Sequence, residues 1–194
     1  MSRRLRREGG GGGEEVTLPH RTRPSTSQRS ATLRFLAEPS HVNFGGKVHG
    51  GAVMKWIDQA GYTCAAGWSG DYCVTVYVGG IHFLGPIQVG ELVELRALVI
   101  HTGRTSMQVA IDIYAGDPKG AALRRRGHCV IVFVALDESG RPKPVPPWVP
   151  ETEIDRALED YALRMIELRK LMDAEMESRL DLLDSRREAI GRAR

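Results

Sequence analysis

The middle of the chain alternates hydrophobic and polar positions in a way that predicts one helix among several strands. Residues 31–36 form a short apolar run that ends before Pro39, which is typical of an opening strand. From residue 52 to about residue 68 the apolar side chains recur at helical intervals, at Val53, Ile57, Ala60 and Cys64. This stretch is apolar on most of its sides, so we expect its helix to be buried.

Four extended runs follow the helix. Residues 74–84 open with valines at every second position, and residues 92–101, 107–113 and 130–136 are also rich in β-branched side chains. The connections between them are short, which favours an antiparallel sheet over parallel βαβ units. The pattern therefore predicts an α+β domain in which a curved sheet wraps one helix.

A third region begins with the proline-rich residues 142–150, which cannot form a helix or a central strand. Thr152 and Asp155 then approximate a helix capping box. A heptad-like seam follows at Ile154, Leu158, Tyr161, Met165, Leu168 and Met172. A helix over residues 152–190 would be roughly 55–60 Å long. We expect its seam to pack on its own domain or a neighbouring subunit; a coiled coil with a separate partner is the alternative.

Composition narrows the class of protein. The 194 residues include 42% hydrophobic and 26% charged side chains, enough for one core, and the net charge of +3 is too small to indicate a nucleic-acid partner. No apolar run is long enough to span a membrane, and the N-terminus lacks the apolar region of a secretory signal. The three scattered cysteines argue against a disulfide framework and predict a cytoplasmic protein.

The first 28 residues differ from the rest. They contain five consecutive glycines and almost no large apolar side chain, so we expect a disordered arm. The alternative is an electrostatic tether to RNA or anionic lipid through Arg3, Arg4, Arg6 and Arg7. No aromatic residue is interleaved for base stacking, which favours a solvated tail.

Two features of the first helix and its approach carry candidate chemistry. Asp58 lies in the apolar helix, where burial would raise its pKa towards that of a useful base; on a wet face it would be an ordinary surface carboxylate. Asn43 precedes a helix that opens with Gly50 and Gly51, whose N–H groups could bind an oxyanion, unless the glycines serve turn geometry alone. The six histidines show no metal-ligand spacing, and no Walker A, GxSxG or Rossmann motif is present.

These segments occur in an order that resembles the acyl-CoA thioesterases of the hotdog fold, especially the subfamily of broad-range bacterial and brain-type enzymes. The resemblance covers about residues 31–153. It rests on segments that include His41-Val42-Asn43-Phe44-Gly45, Val48-His49-Gly50-Gly51, Trp56-Ile57-Asp58, Val74-Thr75-Val76, Phe83-Leu84-Gly85-Pro86 and Thr102-Gly103-Arg104-Thr105-Ser106.

The resemblance implies a hotdog domain, which we place at residues 29–141. It does not extend to the final helix; the sequence pattern predicts a proline-rich linker and a charged amphipathic helix over residues 142–194. The resemblance implies a homodimer that pairs edge to edge, with a trimer of dimers left open, and no nucleic-acid partner. It also implies catalysis by Asn43 and Asp58 and CoA binding through the segment from Gly103 to Ser106. The members of that segment are Gly103, Arg104, Thr105 and Ser106. A polar hairpin turn is the alternative for this segment.

The expected reaction is hydrolysis of fatty acyl-CoA to a fatty acid and CoA, without a cofactor, as in fatty acid metabolism. Asp58 would activate water or attack the thioester directly, and Gly50 and Gly51 would bind the oxyanion through their backbone. A non-catalytic acyl-CoA-binding regulator and a hotdog dehydratase are the alternatives; a dehydratase would use a histidine with its carboxylate.

The helix geometry adds one expectation about assembly. Asp58 lies seven residues beyond Gly51, about 10 Å along the helix axis, whereas Asn43 precedes the helix. Unless the loop doubles back along the helix, Asn43 and Asp58 of one chain are therefore too far apart to reach the same thioester. We expect each site to combine Asn43 of one chain with Asp58 of another.

Overall fold

The computed structural model describes residues 28–120 and 122–192, and within them six strands form one antiparallel sheet. The sheet order is β1-β4-β5-β6-β2, and β3 also pairs with β6. The elements are β1 Ser30–Leu36, α1 Gly50–Ser69, β2 Tyr72–Val78, β3 His82–Phe83, β4 Leu92–Thr102, β5 Ser106–Gly116, β6 Arg124–Leu136 and α2 Glu153–Arg192. The predicted α+β architecture, a central helix and a long C-terminal helix, is confirmed.

The core lies between α1 and the concave face of the sheet. Ile57 of α1 packs in the same cluster as Leu95 of β4 and Phe133 of β6, all nearly inaccessible to solvent. The helix approaches β6 so closely at Gly61 that a Cβ there would lie 2.6 Å from the Phe133 ring. It ends at Gly70, which has the left-handed φ of 73° that glycine adopts at low cost.

The expectation that α1 would be buried on most sides is wrong for the single chain. Its sheet-facing residues are buried, but Met54, Asp58 and Tyr62 are exposed along the opposite side. The reason is geometric, because the sheet wraps only one side of the helix. Apolar residues on the remaining side must meet another surface if they are to leave water.

Strand β2 lies at one edge of the sheet. The exposed side of α1 borders this edge. A register shift between Thr75 and Tyr77 interrupts its pairing with β6. Tyr72, Val76 and Val78 are all about half exposed. An edge with unpaired backbone groups and exposed β-branched side chains is suited to pairing with another strand.

The proline-rich segment packs against the domain instead of hanging free as a linker. Pro142 forms a bridge with Leu136, and the Val145 N–H donates to the Arg104 carbonyl at 3.0 Å. The indole N–H of Trp68 donates to the Pro146 carbonyl at 2.9 Å. Val145 is buried in the main core, so this segment closes the end of α1.

Helix α2 begins at the predicted capping box. The Asp155 N–H donates to the Thr152 hydroxyl at 3.0 Å, and the Thr152 N–H donates to the Asp155 carboxylate at 3.1 Å. The Arg29 guanidinium also pairs with Asp155, and these contacts hold the pKa of that carboxyl well below its usual range. Ile154, a predicted seam position, is 74% exposed because it lies before the helix reaches the sheet.

The helix then crosses the outer, convex face of the sheet. Ala162 is fully buried against Ile100, Ala110 and Val130, which come from three adjacent strands. The seam therefore packs on its own domain over this stretch, as predicted.

Neither helix in the described residues is long and apolar enough to cross a membrane. Of the arm predicted for residues 1–28, all but Gln28 lies outside the described residues.

A partly buried chain of polar contacts connects α2 to the sheet. His128 Nδ1 lies 2.8 Å from the Asp112 carboxylate, and His128 Nε2 lies 3.1 Å from the Tyr161 hydroxyl. The carboxylate requires a proton on Nδ1, and in the neutral ring this tautomer leaves Nε2 to accept from Tyr161. Burial opposes ionisation of Asp112, but hydrogen bonds from His128 and Arg125 outweigh it and lower its pKa.

Candidate active site

The loop before α1 is folded around the side chain of Asn43. Its Oδ1 accepts from the N–H groups of Gly45 at 2.8 Å and Lys47 at 3.2 Å. The bridge between Val42 and Val48 closes the loop. Both donors engage the carbonyl oxygen, so the amide is oriented with Nδ2 free of partners within the described part of the chain. Asn43 thus presents an N–H donor that is already positioned.

Two histidines shape the start of α1. His49 is the N-cap residue, and its Nδ1 accepts from the Gly51 N–H at 2.8 Å. His41 packs edge-on against Trp56 with ring centroids 5.0 Å apart. These contacts give both rings structural roles. In the region that the structure describes, no cluster of side chains is arranged to hold a metal ion.

The capping contact changes the predicted oxyanion site. The Gly51 N–H is already engaged by His49, and a Cβ on Gly51 would lie 3.0 Å from that ring nitrogen. This glycine therefore makes room for the cap. Gly50 has open space around its Cα, and its N–H has no protein acceptor among the described residues. Of the two predicted donors, only Gly50 is available to a ligand in this conformation.

Asn43 and Gly50 open onto one cleft of about 410 Å³. Val53, Ile87 and Ile113 give it an apolar interior. Lys47 and Arg126 add two cationic groups. The Arg126 guanidinium is held by Glu91 at 3.0 Å, which leaves its Nε buried without a partner. The sequence did not point to Arg126, because its contact with Glu91 joins residues 35 positions apart. A cleft of this kind suits a flexible acyl or pantetheine chain.

Asp58 lies away from this cleft, on the exposed side of α1. Its Oδ1 accepts from the Thr75 hydroxyl at 2.5 Å. This bond fixes the carboxylate and leaves Oδ2 without a hydrogen bond to the described residues. Thr75 was not predicted as a site residue, since the two residues are 17 positions apart and belong to different elements. The sequence signals for Thr75 are its position between valines on a strand and its place in the Val74-Thr75-Val76 segment of the resemblance.

The structure does not bring Asn43 and Asp58 of one chain together. Asp58 is eight residues beyond Gly50, so it lies about 12 Å along α1 from the cleft entrance. No contact joins the two side chains within the described residues, and the cleft lining does not include Asp58. Each chain thus presents two separate halves of the predicted site.

An exposed apolar surface surrounds the Asp58 half. We call it the α1–β2 face, and it consists of Met54, Asp58 and Tyr62 of α1 with Tyr72, Val76 and Val78 of β2. Its apolar members are 39–62% exposed. Contiguous exposed apolar side chains of this kind mark an interaction surface.

The predicted CoA-binding segment forms the turn between β4 and β5. The Gly103 N–H donates to the Ser106 carbonyl at 2.9 Å, and the Thr105 carbonyl accepts from Ala135 at 3.1 Å. Arg104 is exposed and forms no ion pair with the described residues. The neighbouring Met107 aligns with Thr75 two strands away, which places the turn about 10 Å from Thr75. The turn is therefore near the Asp58 half, with its cation unpaired.

Cysteine chemistry has no part in this arrangement. Cys64, Cys73 and Cys129 are free thiols, and all three are buried. Burial raises the pKa of Cys64 and of Cys129 to about 12, so neither forms the thiolate that a nucleophile requires. The ionisable group best placed to act on a substrate from the exposed face is Asp58.

Comparison with known proteins assigns this architecture to a family. Residues 45–122 match the thioesterase superfamily. The acyl-CoA thioester hydrolase YciA of Salmonella typhimurium is 33% identical over 129 residues, which cover 64% of this chain and 96% of the relative. The chain belongs to the thioesterase superfamily, whose hotdog fold it has.

Solved structures agree with this assignment. An acyl-CoA hydrolase from Staphylococcus aureus, in complex with butyryl-CoA, CoA and CoA disulfide, has a TM-score of 0.73 and 28% identity, covering 81% of this chain and 96% of its own. An apo-hexameric acyl-CoA thioesterase has a TM-score of 0.72 and 31% identity, covering 76% and 94% of the two chains.

Three positions of the Staphylococcus aureus enzyme have been replaced by alanine. The spacing of these positions matches that of three residues described above. One replaces an asparagine, one an aspartate 15 positions later, and one a threonine a further 17 positions on. Asn43, Asp58 and Thr75 have the same spacing in this chain.

Proposed function

We propose that this protein hydrolyses acyl-CoA thioesters to a carboxylic acid and CoA, at sites that two chains build together. The observation that carries the proposal is the Asp58–Thr75 pair. It presents a fixed carboxylate on an exposed apolar face, at the spacing of the aspartate and threonine replaced in the Staphylococcus aureus acyl-CoA hydrolase. A carboxylate held in this way can act on a thioester only if a partner completes the site.

In the proposed site the carbonyl oxygen of the thioester lies at the start of α1. The Gly50 N–H and the free Nδ2 of Asn43 donate hydrogen bonds to it, and the positive end of the helix dipole stabilises the developing oxyanion. The loop already holds both groups in place, so little ordering is required when the substrate binds. The acyl or pantetheine chain occupies the apolar cleft.

Asp58 of the second chain supplies the reactive carboxylate. Thr75 donates to its Oδ1, so Oδ2 is directed towards a water or the thioester carbon. In the water route Asp58 takes a proton from water, whose oxygen attacks the carbonyl carbon. In the direct route Oδ2 attacks to give an anhydride that water then hydrolyses. Both routes expel the CoA thiolate and end with a carboxylate.

The substrate's CoA portion would leave the site past the β4–β5 turn. Arg104 is an exposed, unpaired cation there, which suits a CoA phosphate. The hydroxyls of Thr105 and Ser106 and the Gly103 backbone could contact the pantetheine.

The buried free thiols support placing the protein in a reducing compartment, and we keep the cytoplasm as its proposed location.

Release of CoA thiol from a panel of acyl-CoA substrates, followed with a thiol reagent, tests the proposal. We expect turnover with at least part of the panel. An absence of release at every chain length, with tight acyl-CoA binding, would contradict hydrolysis and indicate a binding regulator. Single turnover in oxygen-18 water distinguishes the routes, because label incorporated into Asp58 requires the anhydride.

A further inference from the structure

The distal part of α2 extends beyond the domain on which the helix rests. Glu159 contacts His101 of β4 at 3.3 Å, and the Arg169 guanidinium lies 4.5 Å from the centre of the Tyr77 ring on β2. The ten residues between these contacts span about 15 Å, and three strand spacings from β4 to β2 span about 14 Å. The helix therefore crosses the strands nearly at right angles and reaches the sheet edge at Arg169.

Beyond this edge the sheet-facing stripe of α2 continues without a cover. Leu158, Tyr161 and Met165 face the sheet of their own chain. The same stripe continues at Met172, Met176 and Leu180, which are 56%, 57% and 53% exposed. The helix extends to Arg192, about 35 Å beyond the strand that Arg169 covers. The sheet covers the first half of this apolar stripe, and the second half is exposed. An apolar helix face of this kind indicates that another molecule covers the exposed half.

We infer that residues 172–180 of α2 pack on the outer sheet face of a second copy of this chain. The inference rests on the edge pairing used in the proposed function. If β2 pairs with β2 of a second copy around a two-fold axis, the sheet continues past the edge, and the bare stripe lies over the partner's strands. The two α2 helices then run antiparallel, side by side.

The outer face offers space for this contact. A groove of about 360 Å³ lies between α2 and the sheet, close to the edge that β2 forms. Tyr77, Gly79 and Val132 line its sheet side, and Met165 and Met172 line its helix side. The groove is largely apolar, so methionine and leucine side chains of a partner helix are suitable occupants.

The charges of α2 favour the same arrangement. Residues 162–170 carry three basic side chains and one acidic one, whereas residues 171–180 carry three acidic side chains and one basic one. An antiparallel pair places the basic segment of each helix beside the acidic segment of the other. A parallel pair would oppose like charges along its length.

The two-fold axis gives the arrangement a definite register. It lies half a strand spacing beyond β2, which is about 2.4 Å past Arg169 and therefore close to Leu171. Leu171 is 67% exposed in the single chain. It should lie beside Leu171 of the second copy, whereas residues eight positions earlier should be about 24 Å apart along the helix direction.

Site-specific cross-linking tests this register, because the native cysteines are all buried. We expect Leu171→Cys to form a covalent dimer in high yield with a short bismaleimide. Leu163→Cys, an exposed leucine of the same helix, is the matched control and should remain uncross-linked. Sedimentation of the same samples, together with turnover, reports whether dimers and active sites are present.

The outcomes separate this inference from the proposed function. If the protein is an active dimer and Leu171→Cys does not cross-link, the α2 contact is wrong and the shared site is unaffected. If the protein is a monomer, both fail. If saturating CoA abolishes the cross-link, the groove is a CoA site and the helix contact is overturned.

A pair of charge variants tests the contact without cross-linking. Met176→Glu places a carboxylate in the bare stripe and should raise the dimer dissociation constant at least about tenfold, because an unpaired charge would be buried. Ala174→Glu adds the same charge on the opposite side of α2 and should leave dimerisation unchanged. Equal effects of the two substitutions would overturn the inference.

Discussion

The two halves of the site within one chain differ in how complete they are. The Asn43 half is preformed, because its loop is bonded to itself and opens onto an apolar cleft, although Phe44 of this loop is fully exposed. The Asp58 half is open, with one internal hydrogen bond and exposed apolar side chains around it. The first half has a cleft and hydrogen-bond donors in place, whereas the second has a reactive group on an exposed surface and no cleft of its own. The difference teaches that the second half needs a partner surface.

The largest expected effect follows from removing the charge of the open half. Asp58→Asn keeps the volume and much of the hydrogen bonding but removes the base or nucleophile. We expect kcat for CoA thiol release to fall by at least about two orders of magnitude. The thermal midpoint should change little, since Asp58 is exposed in the single chain. Near-native turnover of Asp58→Asn would remove Asp58 from the mechanism.

A smaller effect is expected from Thr75, which positions the Asp58 carboxylate. Thr75→Val retains the shape but loses the hydroxyl that donates to Oδ1. We expect kcat to fall roughly tenfold, consistent with the loss of one hydrogen bond to a charged group. Thr75→Ser retains the donor and should recover most of the turnover. If valine and serine variants behave alike, the hydroxyl has no positioning role.

The fold was predictable because hydrophobic periodicity is a local property. Both helices and the strands appear as runs in the sequence, and the Thr152–Asp155 capping box formed as predicted. The differences are that β2 and β3 are predicted as one run and that β6 begins at Arg124, six residues before its predicted start. The burial of α1 was not predictable in this way. Its exposed side mixes the apolar Met54 and Tyr62 with polar residues such as Lys55, and the curvature of the sheet determines which side is covered.

The site was only partly predictable for a related reason. Asn43 and Gly50 are close in sequence and share one cleft, so local reasoning placed them together. The Asp58–Thr75 and Arg126–Glu91 contacts join distant positions, and no periodicity reports them. The role of Gly51 was hidden by the orientation of the His49 ring, which uses the N–H that we had expected to be free.

The smallest effect on activity is expected far from both halves, at the start of α2. Asp155→Asn removes the charge that pairs with Arg29 and should lower Tm while leaving kcat unchanged. The pKa of Asp155 is lowered in the folded protein, so its stabilising contribution is present above the ordinary aspartate pKa, about 4, and is lost as the pH falls.

Thermal unfolding of the native protein and Asp155→Asn across a pH series measures this contribution. The difference in Tm should be largest near neutral pH and should shrink as the pH falls below about 4. A difference that is independent of pH would show that packing, not charge, accounts for the effect of the substitution. A loss of turnover at unchanged Tm would connect this end of α2 to the active site.

The central claim is that each active site combines Asn43 of one chain with Asp58 of another, and subunit mixing tests it most directly. Asn43→Ala and Asp58→Ala should each be nearly inactive alone. A heterodimer of the two carries one site with both residues intact and one with both lost, so we predict about half of the native activity per heterodimer. If refolded mixtures contain heterodimer by mass spectrometry and remain inactive, both residues act within one chain and the claim is contradicted.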